Sequence, residues 1–271
     1  MAIKLIAVDL DGTLLTTNNT ILPETERALK VARDEGVKVV LTTGRPLSGV
    51  MRYNEQLGLS GNQQYNIVFN GAVIQTLDGR ILLNQEMNYN DFNTVLRLQR
   101  LSHVKVHFET PECFWTCDHD LPHLMMRNAV ETNNVLKVRK REEITHDFTF
   151  NKASFTSMND AQQSEKFWNS LPDWAFAKYN IVHSFPDVIE LNAKGASKGA
   201  ALVDLADRLK INQADVMIFG DQGNDLSMFA NPSFKKVAMG NAIELIKDKA
   251  DYVTDDNDHN GIAKALKKFV L

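Results

Sequence analysis

Most of what would set this sequence apart from an ordinary globular chain is missing. Only two cysteines occur in 271 residues, Cys113 and Cys117, so there is no disulfide framework, and a reducing cytoplasm is the expected setting. Near the start, the longest apolar stretch is Leu5–Val8, cut by Asp9 and Asp11, which is far too short for a signal peptide or a membrane span. Basic charge is not in excess. With 30 Lys and Arg against 34 Asp and Glu, the net charge of −4 supplies no global field for a nucleic acid or a membrane surface. Proline and glycine, at 7 and 14 residues, show no excess that would mark a fibrous or linker-like chain. What remains, 44% hydrophobic and 24% charged, suits one large soluble domain or two modest ones.

The first 70 residues alternate strand and helix. Ile3–Leu10 is β-rich and apolar on both faces, Pro23–Gly36 reads as a helix with a proline in its first turn, and Val37–Leu41 is a second buried strand. Thr42-Thr43-Gly44-Arg45-Pro46 then opens an expected helix to about Leu57, and Asn66–Phe69 is a third strand. This order implies a parallel sheet with crossover helices. The middle differs. It offers hairpins at 72–87 and 179–192, helices near 91–101, 121–130 and 161–171, and short strands near 104–108, 114–116 and 147–155. After Ser197 the first pattern returns, with a helix at Lys198–Leu209, a buried strand at Val216–Phe219 and further short elements to a closing helix at Ile262–Phe269. The expected architecture is one α/β domain built from 1–86 and 191–271, interrupted by an α+β insert at 87–190.

Four groups of polar residues fall at expected strand ends, where ligands bind in open parallel sheets. Asp9-Leu10-Asp11-Gly12-Thr13 follows the first strand, with two carboxylates one residue apart and a glycine that lets the chain turn away. A bare Asp-Gly is most simply a turn, but the longer pattern at this position arises by chance in only about a few chains per thousand. Thr43-Gly44-Arg45 follows the second strand. Ser197-Lys198-Gly199 opens a helix, where a lysine opposes the dipole unless an anion lies beside it. Gly220-Asp221-Gln222-Gly223-Asn224-Asp225 follows the strand Val216–Phe219, where its carboxylates would be oxygen ligands for a hard cation or, more simply, an acidic turn and helix cap.

In this order the four segments resemble the haloacid dehalogenase-like hydrolase superfamily, closest to its Cof-type phosphatases of the IIB subgroup. Asn70-Gly71-Ala72, Met239-Gly240-Asn241-Ala242 and the Asn260-Gly261 turn also resemble that subgroup. The likeness spans the core; it covers the insert only in placement and size. It implies a Rossmann-like parallel sheet with an inserted α+β cap that selects the substrate, with candidate hinges near 84–87 and 192–195. It further implies that Asp9 is a nucleophile and Mg²⁺ ligand, and that Asp11 is the acid and then the base, its backbone carbonyl also on the metal. Thr43 and Lys198 would hold phosphoryl oxygens, helped by backbone N–H groups around Leu10 and Gly44 and by Asn224. Asp221 would complete the metal's protein ligands, and Asp225 would orient its waters from behind. Ionised Asp9 and Asp221 with a phosphate dianion bring together about four negative charges, which Mg²⁺ and Lys198 reduce to about one.

The expected activity is Mg²⁺-dependent hydrolysis of a small phosphorylated metabolite such as a sugar phosphate, through an aspartyl-phosphate, with neither nucleic acid nor membrane as partner. A phosphomutase of the same fold is the alternative. A phospho-accepting receiver domain would be about half this length and would lack the acid at Asp11, and a sensor with a vestigial site would not keep every catalytic group. Three lesser patterns are set aside. Cys113, Cys117, His119 and His123 include zinc-ligand types, but an extended Cys113–Cys117 holds the two backbones about 13 Å apart. Asp256-x-Asp258-x-Asn260-Gly261 copies the opening of a calcium loop, but Lys267 stands where a bidentate glutamate is required. Lys137–Glu143 mixes both signs and reads as a solvated face. Of Trp115, Trp168 and Trp174, at least two are expected in the cap core.

Overall fold

The computed structural model describes residues 2–158, 161–185 and 187–271. Its chain divides into two compact units, one of 1–44, 50–83 and 197–271, the other of 45–49 and 84–196. In chain order the first unit begins with β1 (Leu5–Val8), α1 (Pro23–Asp34), β2 (Lys38–Thr42), α2 (Met51–Gln56), β3 (Tyr65–Val68), β4 (Val73–Thr76) and β5 (Ile81–Asn84). The second unit follows with α3 (Tyr89–Gln99), β6 (Lys105–Glu109), β7 (Cys113–Thr116), α4 (His123–Glu131), β8 (Val135–Val138), β9 (Lys152–Thr156), α5 (Ala161–Ser170), α6 (Asp173–Lys178), β10 (Tyr179–Phe185) and β11 (Val188–Ala193). The chain then returns through α7 (Lys198–Arg208), β12 (Val216–Gly220), α8 (Leu226–Phe229), β13 (Lys235–Ala238), α9 (Glu244–Lys247), β14 (Tyr252–Val253) and α10 (Gly261–Phe269).

The first unit is built on an eight-stranded sheet in the order β14-β13-β12-β1-β2-β3-β4-β5. Every residue of β1 and β12 is buried, as strands covered on both faces require. β1 pairs in parallel with both neighbours, Leu5 lying opposite Val216 on one side and Lys38 on the other. From β1 the chain winds outward to β3 on one side and, later, from β12 to β14 on the other. This reversal creates a crevice at the carboxyl ends of β1 and β12, the place where open α/β sheets take their ligands. The α/β parallel core is therefore as expected, with one local correction. No helix opens at Thr42–Arg45, because Pro46 disfavours helical geometry at the residue before it. A 3₁₀ turn at Leu47–Gly49 comes first, and α2 starts only at Met51.

The second unit is a six-stranded sheet in the order β10-β11-β9-β6-β7-β8, antiparallel except between β7 and β8. Alternation along its strands divides the side chains between two faces. Val106, Phe108, Ala153, Phe155, Ile189 and Leu191 join one core cluster with Phe92 and Val95 of α3 and Phe167 of α5, and Trp115 and Trp168 pack against it. Trp174 is about half exposed. The other face carries His107, Glu109, Lys152, Ser154, Glu190 and Asn192, all of them buried. Lys152 bridges Glu109 and Glu190, while the Ser154 hydroxyl donates to Glu109 at 2.7 Å and His107 Nε2 lies 3.2 Å from the same oxygen. Burial opposes ionisation of Glu109, but Lys152 and His107 outweigh it and hold its carboxyl below the usual range. Among the described residues no helix is long and apolar enough to cross a membrane.

Candidate active site

β1 ends in the crevice and delivers Asp9, whose N–H still donates to Phe219 of β12 at 3.2 Å. Beyond it the chain closes a tight loop, with Leu14 N donating to Asp9 O at 3.1 Å and Leu15 N to Leu10 O at 2.9 Å. Gly12 makes this loop possible. Its φ is +77°, and a Cβ there would meet Asp221 Oδ2 at 2.4 Å. β12 delivers Asp221, and the short turn after it delivers Asp225. Asp9, Asp221 and Asp225 each present a carboxylate oxygen within 4.8 Å of the others, and all three are buried.

Lys198 completes the cluster from the first turn of α7, which Ser197 caps by accepting from Ala200 N at 3.2 Å. Its ammonium is fully buried and donates to Asp9 Oδ1 at 2.6 Å and to Asp225 Oδ1 at 2.7 Å. Two carboxylates thus offset the unfavourable dipole at that helix end. Burial opposes the charge on Lys198, but Asp225 and Asp9 outweigh it and raise its pKa. The second oxygen of Asp225 accepts the backbone N–H groups of Asp221 and Gln222 at 2.9 and 3.1 Å. Asp221 in turn accepts the Thr13 hydroxyl at 2.7 Å.

The three carboxylates are poorly balanced by one ammonium. Burial, then repulsion from Asp225, pushes Asp9 well above the carboxylate range despite the pull of Lys198. Burial and Asp225 likewise raise Asp221 to about 7. A hard divalent cation fits this cluster: the three carboxylates offer only oxygen, and with Lys198 their surplus negative charge is about two.

A sequence profile of the haloacid dehalogenase-like hydrolases matches residues 6–266. The chain belongs to this family. Phosphatase YwpJ of Bacillus subtilis (strain 168) is 32% identical over 286 residues, covering 97% of this chain and 99% of that protein. The 5-amino-6-(5-phospho-D-ribitylamino)uracil phosphatase YcsE of the same organism is 33% identical over 274 residues, covering 99% and 96%. A solved haloacid dehalogenase-like hydrolase from B. subtilis superposes with a TM-score of 0.83 at 29% identity, covering 98% of this chain and 100% of that one. The chain is a phosphatase of the Cof type.

Of the remaining expected residues, Leu10 is fully buried, and its carbonyl accepts from Thr13 and Leu15 in the closed loop. Thr43 follows β2 directly; its N–H donates to Ile67 O and its carbonyl accepts from Asn70, both at 2.9 Å. Gly44 comes next in the chain, without the helix end expected there. The Asn224 amide donates to Asn70 Oδ1 at 3.3 Å, while its own buried Oδ1 has no hydrogen-bond partner among the described residues. Asp11 is part-exposed at the turn of the loop. Two further features carry no local signal in the sequence. One is the Thr13 hydroxyl on Asp221. The other is the left-handed backbone of Phe69 and Asn70, with φ of 51° and 56°, a costly conformation that sets Asn70 between Thr43 and Asn224.

Proposed function

We propose that the chain hydrolyses small phosphorylated metabolites, sugar or polyol phosphates foremost, with Mg²⁺ and an aspartyl-phosphate intermediate on Asp9. The observation that carries this reading is the placement of Lys198 Nζ 2.6 Å from Asp9, beside Asp221 and Asp225, in the crevice of the parallel sheet. Asp9 and Asp221 would hold the ion, with the Asp11 carbonyl as a third ligand. Asp225 would stay outside, since both its oxygens already accept from Lys198 and the backbone. When bound, the ion supplies positive charge that favours ionised carboxylates and neutralises the phosphoryl group.

The steps then follow from this chain's own groups. Asp9 Oδ attacks phosphorus as the bond to the leaving oxygen breaks, and Asp11 gives that oxygen its proton. Asp11 next takes a proton from water, which attacks the phosphorus and frees Asp9 and inorganic phosphate. Lys198, Thr43 and Asn224 would hold the phosphoryl oxygens, with N–H groups near Leu10 and Gly44. Substrate selection is assigned to the cap at 87–190. YcsE is named for a phosphorylated ribityl substrate, which supports the sugar or polyol class, and the two free cysteines suit a cytoplasmic setting.

Steady-state assays with an aryl phosphate and Mg²⁺ test the reading. Asp9→Ala and Asp9→Asn should each lose at least about a thousandfold in kcat, and a chelator should abolish turnover. Full turnover by either variant removes Asp9 as nucleophile. Dependence on a bisphosphate activator, with little free phosphate released, would mark a mutase instead.

A further inference from the structure

The segment that copies the opening of a calcium loop has a different place in the fold. Asp256 accepts Asp258 N at 3.0 Å and holds 257–259 in a 3₁₀ turn. This turn lies against the loop that carries Asp11. Asn257 Nδ2 donates to Leu15 O at 2.8 Å, and Thr17 N donates to Asp258 Oδ1 at 2.9 Å. The Thr17 hydroxyl donates to the other oxygen of Asp258. Asn241, from the loop after β13, donates through Nδ2 to Gly12 O at 2.8 Å and accepts from Asn257 N at 3.2 Å. The main-chain carbonyls of Gly12 and Leu15, on the C-terminal side of Asp11, are thus each held by one amide side chain, and the Asn241 side chain is bonded in turn to the Asn257 main chain. The opposite side of Gly12 rests on the Asp221 carboxylate with no space even for a methyl group.

We propose that Asn241 and Asn257 are positioning residues that fix the Asp11 loop in register with the leaving oxygen. Neither would touch substrate. The inference rests on the reading of Asp11 as the acid. The loop's internal bonds close it on itself, and these amides tie the Gly12 and Leu15 carbonyls to the rest of the unit. A proton donor displaced by an ångström loses most of its effect, whereas Asp9, anchored by the sheet, keeps its place.

The test compares leaving groups. A nitrophenyl phosphate departs with little need of a proton, and an alkyl phosphate such as glycerol phosphate cannot. Asn241→Ala and Asn257→Ala should lower kcat/KM for the alkyl ester about tenfold or more while changing the aryl ester less than about threefold. In metal-free protein, hydrogen exchange of the Leu14 and Leu15 amides should rise in both variants. Equal losses on the two esters, with exchange unchanged, would overturn the proposal. Asp11→Asn serves as the control. If it fails to discriminate between the esters, the acid role falls, and the positioning role falls with it. If it discriminates and the asparagine variants do not, only the positioning role falls.

Discussion

Each unit buries a cluster of opposite charges, and the two clusters are finished differently. In the second unit, Lys152 sits between Glu109 and Glu190 with His107 and Ser154 alongside; Glu109 is held below its usual range and Lys152 above its own. In the first, Lys198 faces three carboxylates, and both Asp9 and Asp221 are pushed up. Burial is nearly total in both, so the difference lies in charge balance. A buried ionic group whose carboxylates are held ionised by the cations beside them acts as structure. One left with surplus negative charge is prepared to receive a cation and a reacting group, and its stability is given up for that purpose.

The largest test exchanges the two lysines' fates. Lys198→Ala should reduce kcat on an aryl phosphate by about a hundredfold or more, since charge that stabilises the transferring phosphoryl group is lost. Lys152→Met should leave that kcat within about twofold but strand two buried carboxylates, at a cost of about 3–5 kcal/mol. All three tryptophans, Trp115, Trp168 and Trp174, lie in the second unit, so its unfolding is followed by fluorescence. A melting midpoint lowered by roughly 10 °C is expected there. A Lys152→Met protein that melts normally but is inactive would reverse the assignment.

Acid and base separate the clusters next, because their signs are opposite. Glu109 has a depressed pKa when folded, so its stabilisation is present above the unfolded value of 4.5 and is lost as pH falls below it. Asp221 is raised from 3.8 to about 7, so in metal-free protein stability is greatest below the unfolded value and declines as pH climbs through 7. Chelated protein should therefore melt higher at about pH 5 than at about pH 8, by a few kcal/mol. Saturating Mg²⁺ should remove that decline, and Glu109→Gln should flatten only the acid limb. A chelated protein with no loss toward pH 8 would contradict the imbalance around Asp221.

The sequence disclosed these clusters unequally, for a physical reason. Asp9, Lys198 and Asp221 stand where a buried strand stops or a helix starts, and a polar residue at such a boundary is conspicuous. His107, Glu109, Lys152 and Glu190 each occupy an alternate position within a strand, a pattern that ordinarily means a solvated face. Their burial depends on partners up to 81 residues apart along the chain (Glu109 to Glu190), which local periodicity does not register. The mixed charges of Lys137–Glu143 give the pattern of a solvated face, which masks β8, an edge strand whose Val135 is 63% exposed and whose Lys137 reaches over Trp115. The short helix α6, squeezed between Pro172 and β10, and α9, a single turn, gave too little periodicity to be read. The parallel core, by contrast, was legible from its doubly buried strands.

The smallest and sharpest comparison uses one hydroxyl from each cluster. Thr13 donates to Asp221 and Ser154 to Glu109, both at 2.7 Å and both buried. Glu109 keeps Lys152 and His107 on the same oxygen when Ser154 is lost. Ser154→Ala should therefore cost about 1 kcal/mol in the fluorescence melt and nothing in turnover. For Asp221 the Thr13 hydroxyl does more than Lys198 to hold the pKa down. Thr13→Val should raise the Mg²⁺ concentration for half-maximal activity roughly tenfold, as losses behind a metal ligand commonly do. Equal effects of the two substitutions on Mg²⁺ dependence would mean that the clusters differ in position but not in kind.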